Sequence, residues 1–219
     1  MVQESLLLME SARRDVPLQV DTWVQRGEQC LCGPVQATVS AGEVWQVLGP
    51  NGTGKTTLLL MLAGVLPVHQ GRLDWGGQGA RDWPVLWQGH LPGCSALLSV
   101  LDNLQFLLGL SGQAATMDQM LAALEQVGLA GYEQVRLGEL SAGQKRRVGL
   151  ARLWLPQTPP LWLLDEPLTA LDVQMVARLQ ARVRTYAQAG GRVVLTSHQP
   201  MACVSHRLDL GSLVAGALA

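Results

Sequence analysis

The sequence predicts an α/β fold with a mostly parallel sheet, and three observations support this prediction. The apolar run Val44–Leu48 has the character of a buried strand, and a glycine-rich turn connects it to a second apolar run, Leu58–Leu66, which predicts a helix that Pro67 ends. Leu161–Leu164 and Val193–Ser197 are continuous apolar runs, as expected of strands covered on both faces. Hydrophobic residues make up 48% of the 219 residues, enough for a substantial core.

The remaining elements follow from local patterns. Leu18–Gln25 and Val35–Val39 alternate in the manner of strands, and the glycine-rich region 71–83 predicts a loop with a short strand. Thr116–Val127 and Val173–Ala189 place apolar residues on one helical face, and each is followed by glycine. We expect both apolar stripes to pack in the core. Residues 1–16 form an N-terminal extension, and 17–219 form a single domain.

Charge and hydropathy exclude several classes of protein. The 16 basic and 17 acidic residues leave a net charge of −1, which provides no electrostatic surface for nucleic acid. No apolar run reaches the length of a membrane span. The N-terminus carries Glu4 and Glu10 around Leu6–Leu8 instead of the basic start of a signal peptide. We therefore expect neither a transmembrane segment nor a signal peptide.

The four cysteines, at positions 30, 32, 94 and 203, do not have the spacing of a metal site. Strand alternation places Cys30 and Cys32 on the same face. We expect buried thiols in a reducing cytosol rather than disulfides.

A phosphate-binding motif follows the strand Val44–Leu48. The motif G-x-x-x-x-G-K-[ST] is filled by Gly49, Pro50, Asn51, Gly52, Thr53, Gly54, Lys55 and Thr56, and the predicted nucleotide-binding segment also includes the next residue, Thr57. Its glycines allow backbone N–H groups to approach phosphates closely, and Lys55 neutralises the β- and γ-phosphates. The Thr56 hydroxyl is suited to Mg²⁺, so the motif predicts binding of a nucleoside triphosphate with Mg²⁺.

A second motif, Leu140-Ser141-Ala142-Gly143-Gln144, precedes a basic stretch with helical periodicity, Lys145–Leu155. Ser141 then stands at the N-cap position, and Gln144 stands three residues later. This is also the pattern of an ordinary capping box, so the motif alone does not establish a function.

Two acidic residues, Asp165 and Glu166, end the buried strand Leu161–Leu164. Adjacent carboxylates at the end of a buried strand are costly unless a cation or a substrate interacts with them. The pair is therefore a candidate catalytic site.

The order of these motifs, followed by Leu171-Asp172 and a strand ending near His198, resembles the ATP-binding cassette (ABC) ATPases over 18–200. Within that class the chain resembles the haem exporter ATPase of cytochrome c maturation. This second resemblance rests on four segments: Leu86–His90, Lys145–Val148 with Ala151–Leu155, Asp165–Asp172, and Thr196–Pro200.

The resemblance implies a P-loop NTPase fold with a mostly parallel core sheet, a small antiparallel β subdomain and a helical subdomain at about 91–155. It implies that Asp165 and Thr56 hold Mg²⁺, that Glu166 is the general base, and that His198 contacts the γ-phosphate. The resemblance also implies that two copies stack head to tail. In that dimer the signature residues Ser141, Ala142, Gly143 and Gln144 serve the partner's ATP, and Asp172 crosses the interface.

Two positions depart from the class pattern. Cassettes usually carry a glutamine after the variable loop, and counting back from Ser99 gives His90 at that position. His90 would place a ring nitrogen on the nucleophilic water or in the Mg²⁺ shell, and Gln88 would do so instead if a bulge shifts the register. We prefer His90, although it is also explained as a simple loop residue. No clear aromatic residue for stacking on adenine follows the first strand, where Trp23 and Arg26 are the candidates.

The resemblance implies a peripheral protein on the cytoplasmic face of the bacterial inner membrane. Its partners are integral membrane subunits for cytochrome c maturation, received near Leu91–Leu110, and its activity supports haem export or release of a haem-loaded chaperone. Direct haem binding by this chain is not expected. The alternatives are an ATP-binding subunit of another small-molecule ABC transporter and a non-transport ABC ATPase.

Overall fold

A computed structural model describes residues 16–90 and 93–218, with the side chains of 215–218 excepted. Most of the predicted N-terminal extension lies outside the described residues, as do Leu91 and Pro92 of the segment predicted to meet a membrane subunit. The described chain divides into two compact units. Residues 16–87, 160–165 and 183–218 form the first unit, and residues 88–159 and 166–182 form the second.

The strands of the described residues are β1 (Leu18–Arg26), β2 (Gln29–Val39), β3 (Val44–Leu48), β4 (Gly71–Trp75), β5 (Val85–Gln88), β6 (Leu161–Leu164), β7 (Arg192–Thr196) and β8 (His206–Asp209). Their α-helices are α1 (Lys55–Leu62), α2 (Val100–Leu110), α3 (Met117–Gln126), α4 (Ala142–Ala151) and α5 (Val173–Gln188).

A five-stranded sheet in the order β5-β6-β7-β3-β8 forms the centre of the first unit. Strand β3 pairs in parallel with β7 and β8, and β6 pairs in parallel with β7. Every residue of β6 and β7 is buried, because parallel strands of this kind are covered on both faces. The predicted α/β fold with a mostly parallel sheet is confirmed.

A smaller antiparallel sheet in the order β2-β1-β4 completes the first unit. A register shift in the β1–β2 pair places Cys32 opposite Val24 and Cys30 opposite Gln25. Directly opposed residues project to the same face, and Val24 and Gln25 are consecutive, so the two cysteines point to opposite faces. The prediction that they share a face is wrong, because strand alternation does not hold across a bulge.

Helix α1 ends at Leu62, four residues before the end of the apolar run. The N–H of Val65 donates to the Leu60 carbonyl (3.0 Å), and the N–H of Gly64 donates to the Met61 carbonyl (3.0 Å). Gly64 has φ +69°, the left-handed conformation that favours glycine. Together these features form a Schellman motif, so Gly64 and not Pro67 ends the helix.

Arg192 ties the two sheets of the first unit together. Its buried guanidinium donates to the carbonyls of Val39 (3.2 Å) and Val16 (2.8 Å), and it lies 4.9 Å from the centre of a Trp75 ring. A buried cation is tolerated only with such partners. This residue therefore joins β7 of the parallel sheet to β2 and β4 of the small sheet.

In the second unit, helices α2, α3 and α4 pack against one another around buried residues that include Leu104, Leu124 and Val148. Each of the three helices begins with a capping box, in which the N-cap hydroxyl accepts a backbone N–H and the side chain three residues later accepts the N-cap N–H. The pairs are Ser99 with Asp102, Thr116 with Gln119, and Ser141 with Gln144. The capping role predicted for Ser141 is confirmed.

Candidate nucleotide-binding site

The loop between β3 and α1 depends on glycine at three positions. Gly49, Gly52 and Gly54 have φ angles of +138°, +86° and +97°. A Cβ atom on Gly49 would lie 2.7 Å from the Thr53 hydroxyl oxygen, and one on Gly54 would lie 2.7 Å from Val24. Backbone N–H groups in such a tight turn at a helix start form a cradle for anions. The loop therefore fits the phosphates of a nucleotide.

Lys55 begins helix α1 and folds back over this loop. Its ammonium donates to the carbonyls of Gly49 (2.8 Å) and Pro50 (3.0 Å). The Thr53 hydroxyl also donates to the Pro50 carbonyl (2.9 Å). The cation is thereby held beside the phosphate cradle.

Asp165 follows the last residue of β6 and lies beside Thr56 in the same unit. Its Oδ2 accepts a hydrogen bond from the Thr56 hydroxyl (2.9 Å), and its Oδ1 accepts one from the Thr196 hydroxyl (2.7 Å). The carboxylate is 3% exposed. A carboxylate and a hydroxyl brought together are oxygen donors of the kind that Mg²⁺ prefers, so these residues fit the ion. Sequence reasoning missed Thr196. The one signal for it in the sequence is that a polar residue stands at the end of an apolar strand.

His198 lies in the turn that follows β7, where it is exposed. The Gln46 side-chain amide donates to the carbonyls on both sides of it, at Ser197 (3.1 Å) and at Gln199 (3.1 Å). Gln46 is 2% exposed in the middle of β3. The sequence contains a signal for this residue, because Gln46 is the one polar residue in the apolar run Val44–Leu48.

Glu166 belongs to the second unit and has φ +48°, a left-handed conformation uncommon for a residue with a side chain. Such a conformation costs about 1–3 kcal/mol and persists only where neighbouring contacts impose it. The Glu166 carbonyl accepts hydrogen bonds from the Arg146 guanidinium (2.8 Å) and the Thr169 N–H (3.2 Å). These two hydrogen bonds orient the peptide group that follows Glu166.

Gln88 and His90 have different surroundings within the second unit. Gln88 is 1% exposed, and its Oε1 accepts a hydrogen bond from Arg152 (2.9 Å). A Cβ atom on Gly149 would lie 2.8 Å from the same oxygen. Burial lowers the pKa of Arg152 to about 10, so it remains a cation at neutral pH. Gln88 is thus held inside the helical unit, while His90 is exposed.

The signature residues lie at the start of α4. A Cβ atom on Gly143 would lie 2.6 Å from the Ala170 carbonyl oxygen, so glycine permits close approach of the chain that follows Glu166. A cavity of about 240 Å³ opens beside this helix start, lined by His90, Ala142, Lys145, Arg146, Thr169 and Ala170. Within the second unit, the structure therefore brings His90 and Ala142 of the signature motif to one cavity.

Asp172 caps α5 and pairs with Arg147. Its Oδ1 accepts the Met175 N–H (2.8 Å). That hydrogen bond is the main cause of a lowered pKa for Asp172, with Arg147 contributing less. The residue predicted to cross a dimer interface thus also has a structural role within its own chain.

The two candidates for adenine stacking lie on β1. Trp23 is half-buried, and a Cβ atom on Gly33 of β2 would lie 2.8 Å from its ring. Arg26 is exposed at the last position of the strand. Base stacking by either residue stays a prediction.

Comparison with known proteins places the chain in a family. The ABC transporter family matches residues 32–169, more than half of the sequence. An ABC transporter ATP-binding protein from Pyrococcus furiosus has the same fold, with a TM-score of 0.80 and 25% identity over 90% of this chain and 99% of that one. The dimeric structure of the bacterial ABC transporter cassette MJ0796 matches with a TM-score of 0.75 and 21% identity, covering 90% of this chain and 95% of that one.

The chain therefore belongs to the ATP-binding cassettes of ABC transporters. It is 43% identical over 189 residues to the cytochrome c biogenesis ATP-binding export protein CcmA of Saccharophagus degradans, covering 81% of this chain and 84% of that protein. Within the class, it is a member of this family of cytochrome c biogenesis ATP-binding export proteins. Among the helices of the described residues, none combines the length and hydropathy needed to cross a membrane.

Proposed function

We propose that this chain is the ATP-hydrolysing subunit of a membrane ABC complex for cytochrome c maturation. The observation that carries the proposal is the group formed by Thr56, Asp165 and Thr196 beside the glycine-dependent phosphate loop. The loop offers a cradle for anions, and the group offers oxygen donors for a divalent cation within the same unit. Membership of the cytochrome c biogenesis family supports the assignment to that complex.

The reaction is attack of water on the γ-phosphorus of ATP, which breaks the bond between that phosphorus and the oxygen bridging to the β-phosphate. Glu166 accepts the proton that the water loses. Lys55 neutralises charge on the β- and γ-phosphates, and His198 contacts the γ-phosphate. Thr56 and Asp165 would hold Mg²⁺, which when bound neutralises phosphate charge.

His90 is proposed to orient the attacking water in place of the usual glutamine. The burial of Gln88 and its hydrogen bond with Arg152 support this choice over Gln88. His90 also lies at the cavity beside the signature helix. Gln88 instead stabilises the helical unit.

Two copies are proposed to stack head to tail around two ATP molecules. Ser141, Ala142, Gly143 and Gln144 of each copy then face the partner's nucleotide, because the first N–H groups of a helix lack intrahelical acceptors and favour anions. Asp172 lies at the interface. The dimeric state of the cassette MJ0796, which shares this fold, supports the arrangement.

The work of the cycle is proposed to be coupled to separate integral membrane subunits, with this chain peripheral on the cytoplasmic face of the inner membrane. Haem export or release of a haem-loaded chaperone is then performed by those subunits, without haem binding by this chain. Service to another small-molecule transporter or a role outside transport is less favoured, because the similar protein from Saccharophagus degradans is named for cytochrome c biogenesis.

The decisive experiment compares two variants of the purified full chain. Glu166→Gln should bind Mg-ATP with wild-type affinity while turnover falls by roughly 10²-fold or more, because the base acts mainly in the transition state. Lys55→Ala should lose nucleotide binding itself. Wild-type turnover in the first variant, or wild-type affinity in the second, would contradict the corresponding role.

A further inference from the structure

We propose that Arg146 is a positioning residue for hydrolysis, which holds the backbone of Glu166 and of the His90 loop from the helix that begins with the signature motif. The inference rests on the proposed role of Glu166 as general base. Arg146 does not touch the substrate in this proposal, and it acts through the two residues that do.

Three carbonyls from two separate loops converge on the Arg146 guanidinium. Nη1 donates to the carbonyls of Gly89 (2.7 Å) and His90 (2.6 Å), and Nη2 donates to that of Glu166 (2.8 Å). The residue is 4% exposed. Hydrogen bonds from a buried charge are stronger than neutral ones, and the planar fork of arginine fixes their directions. One side chain therefore sets the distance between the two loops.

The conformation of Glu166 gives this contact a specific consequence. Its φ of +48° is held in part by the bond from Arg146 to its carbonyl. When that donor is lost, the peptide is free to return towards the commoner region of backbone conformation. The side chain moves with its own Cα atom, so the carboxylate leaves the position from which it deprotonates water.

Arg146 also stands two residues after Gln144, at the start of α4. A shift of this helix start is therefore transmitted to the carbonyls of Glu166 and His90. In the proposed dimer, the helix start contacts the partner's ATP. Glu166 of the same copy acts on that copy's own ATP. Arg146 therefore couples the position of this base to the helix that contacts the partner's ATP.

The test uses the full chain, with single-turnover release of phosphate from ATP and a separate measurement of ATP affinity. Arg146→Met removes the donors while keeping an unbranched side chain, and Arg146→Lys keeps the charge without the fork. Arg178→Met is the matched control, because Arg178 is exposed on α5 in the same unit and donates to the Gln126 carbonyl over the longer distance of 3.3 Å. Each variant is also made in a Glu166→Gln background.

We expect Arg146→Met to slow hydrolysis roughly 10–100-fold with unchanged ATP affinity, since small displacements of a catalytic group have effects of that size. Arg146→Lys should be intermediate, and Arg178→Met should match the wild type. In the Glu166→Gln background Arg146→Met should cause a smaller loss than in the wild type, because only its effect through His90 remains.

Wild-type turnover in Arg146→Met overturns the proposal, as does an equal loss in both backgrounds. If Arg146→Met does not fold, the same two comparisons are made with Arg146→Lys. Wild-type turnover in Glu166→Gln alone would instead refute the assignment of the base, so the two failures are distinguishable.

Discussion

At the residue scale, buried polar side chains hold the backbone of the candidate site. Asp165 accepts two hydroxyl donors, Gln46 donates to two carbonyls, and Arg146 donates to three. Each is at most 4% exposed. A buried polar group without partners is costly, so each of these residues specifies where its partners must lie.

Gln46→Met should loosen the turn that carries His198. The substitution keeps side-chain volume but removes both donors to the carbonyls that flank the histidine, which costs about 1–3 kcal/mol of unfolding free energy. We expect turnover to fall together with stability, measured by ATP hydrolysis and by urea denaturation. In a His198→Ala background, Gln46→Met should no longer affect turnover. Unchanged stability and turnover would show that the turn does not depend on Gln46.

The choice between His90 and Gln88 has its own test. His90→Gln should retain much of the ATPase activity and His90→Ala should lose it, because glutamine can still orient a water molecule. Gln88→Ala should lower the unfolding free energy, since it removes the Oε1 acceptor of the buried Arg152 Nη2, yet leave turnover of the folded protein largely intact. The opposite ranking in turnover assays would transfer the role to Gln88.

At the scale of elements, the capping boxes of α2, α3 and α4 show that the pattern at Ser141 and Gln144 has a structural role apart from any functional one. The second unit contains three helices that begin in the same way. A serine or threonine with a glutamine three residues later is therefore not by itself evidence of a nucleotide site. Ser141 directly precedes Ala142, which lines the cavity at the start of α4 together with His90 and Ala170.

Ser141→Ala and Thr116→Ala form a matched pair of variants. Each removes one N-cap hydroxyl and should lower the unfolding free energy by about 1 kcal/mol. Only Ser141→Ala should also weaken ATP-dependent dimerisation and hydrolysis, because only that helix start faces the partner's nucleotide in the proposed dimer. Thermal denaturation, size-exclusion chromatography with ATP and an ATPase assay give the three values. Equal effects of both variants on hydrolysis would show that Ser141 acts as a helix cap and has no role at the partner's nucleotide.

At the scale of the whole molecule, the proposed residues are distributed between the two units. The phosphate loop, Asp165 and His198 belong to the first, while Glu166, His90 and the signature belong to the second. Asp165 and Glu166 are consecutive residues, so the division between the units passes between two neighbouring carboxylates.

The membrane role is tested in cells. Ser141→Arg places a bulky cation where the partner's γ-phosphate meets backbone N–H groups in the proposed dimer, so ATP should bind without closing the dimer. A strain carrying this variant should stop producing holocytochrome c while other exported proteins mature normally. Haem-stained gels measure holocytochrome c, and the activity of secreted enzymes measures the maturation of other exported proteins. Normal holocytochrome c in a strain lacking the chain would refute the proposed pathway.

The fold class and the chemical motifs could be predicted from the sequence because their signals are local. Continuous apolar runs indicate buried parallel strands, and G-x-x-x-x-G-K-[ST] encodes a turn, a cation and a hydroxyl within eight positions. The capping boxes are equally local, since each joins residues three apart. These patterns need no knowledge of what packs against them.

The tertiary structure decided what depends on contacts between distant positions. A register shift, set by pairing with β1, places Cys30 and Cys32 on opposite faces. The roles of Gln46 and Arg146 depend on carbonyls 151 and 20 residues away, at Ser197 and Glu166. Chain folding alone brings such groups together, because a hydrogen bond acts over about 3 Å whatever the separation in sequence.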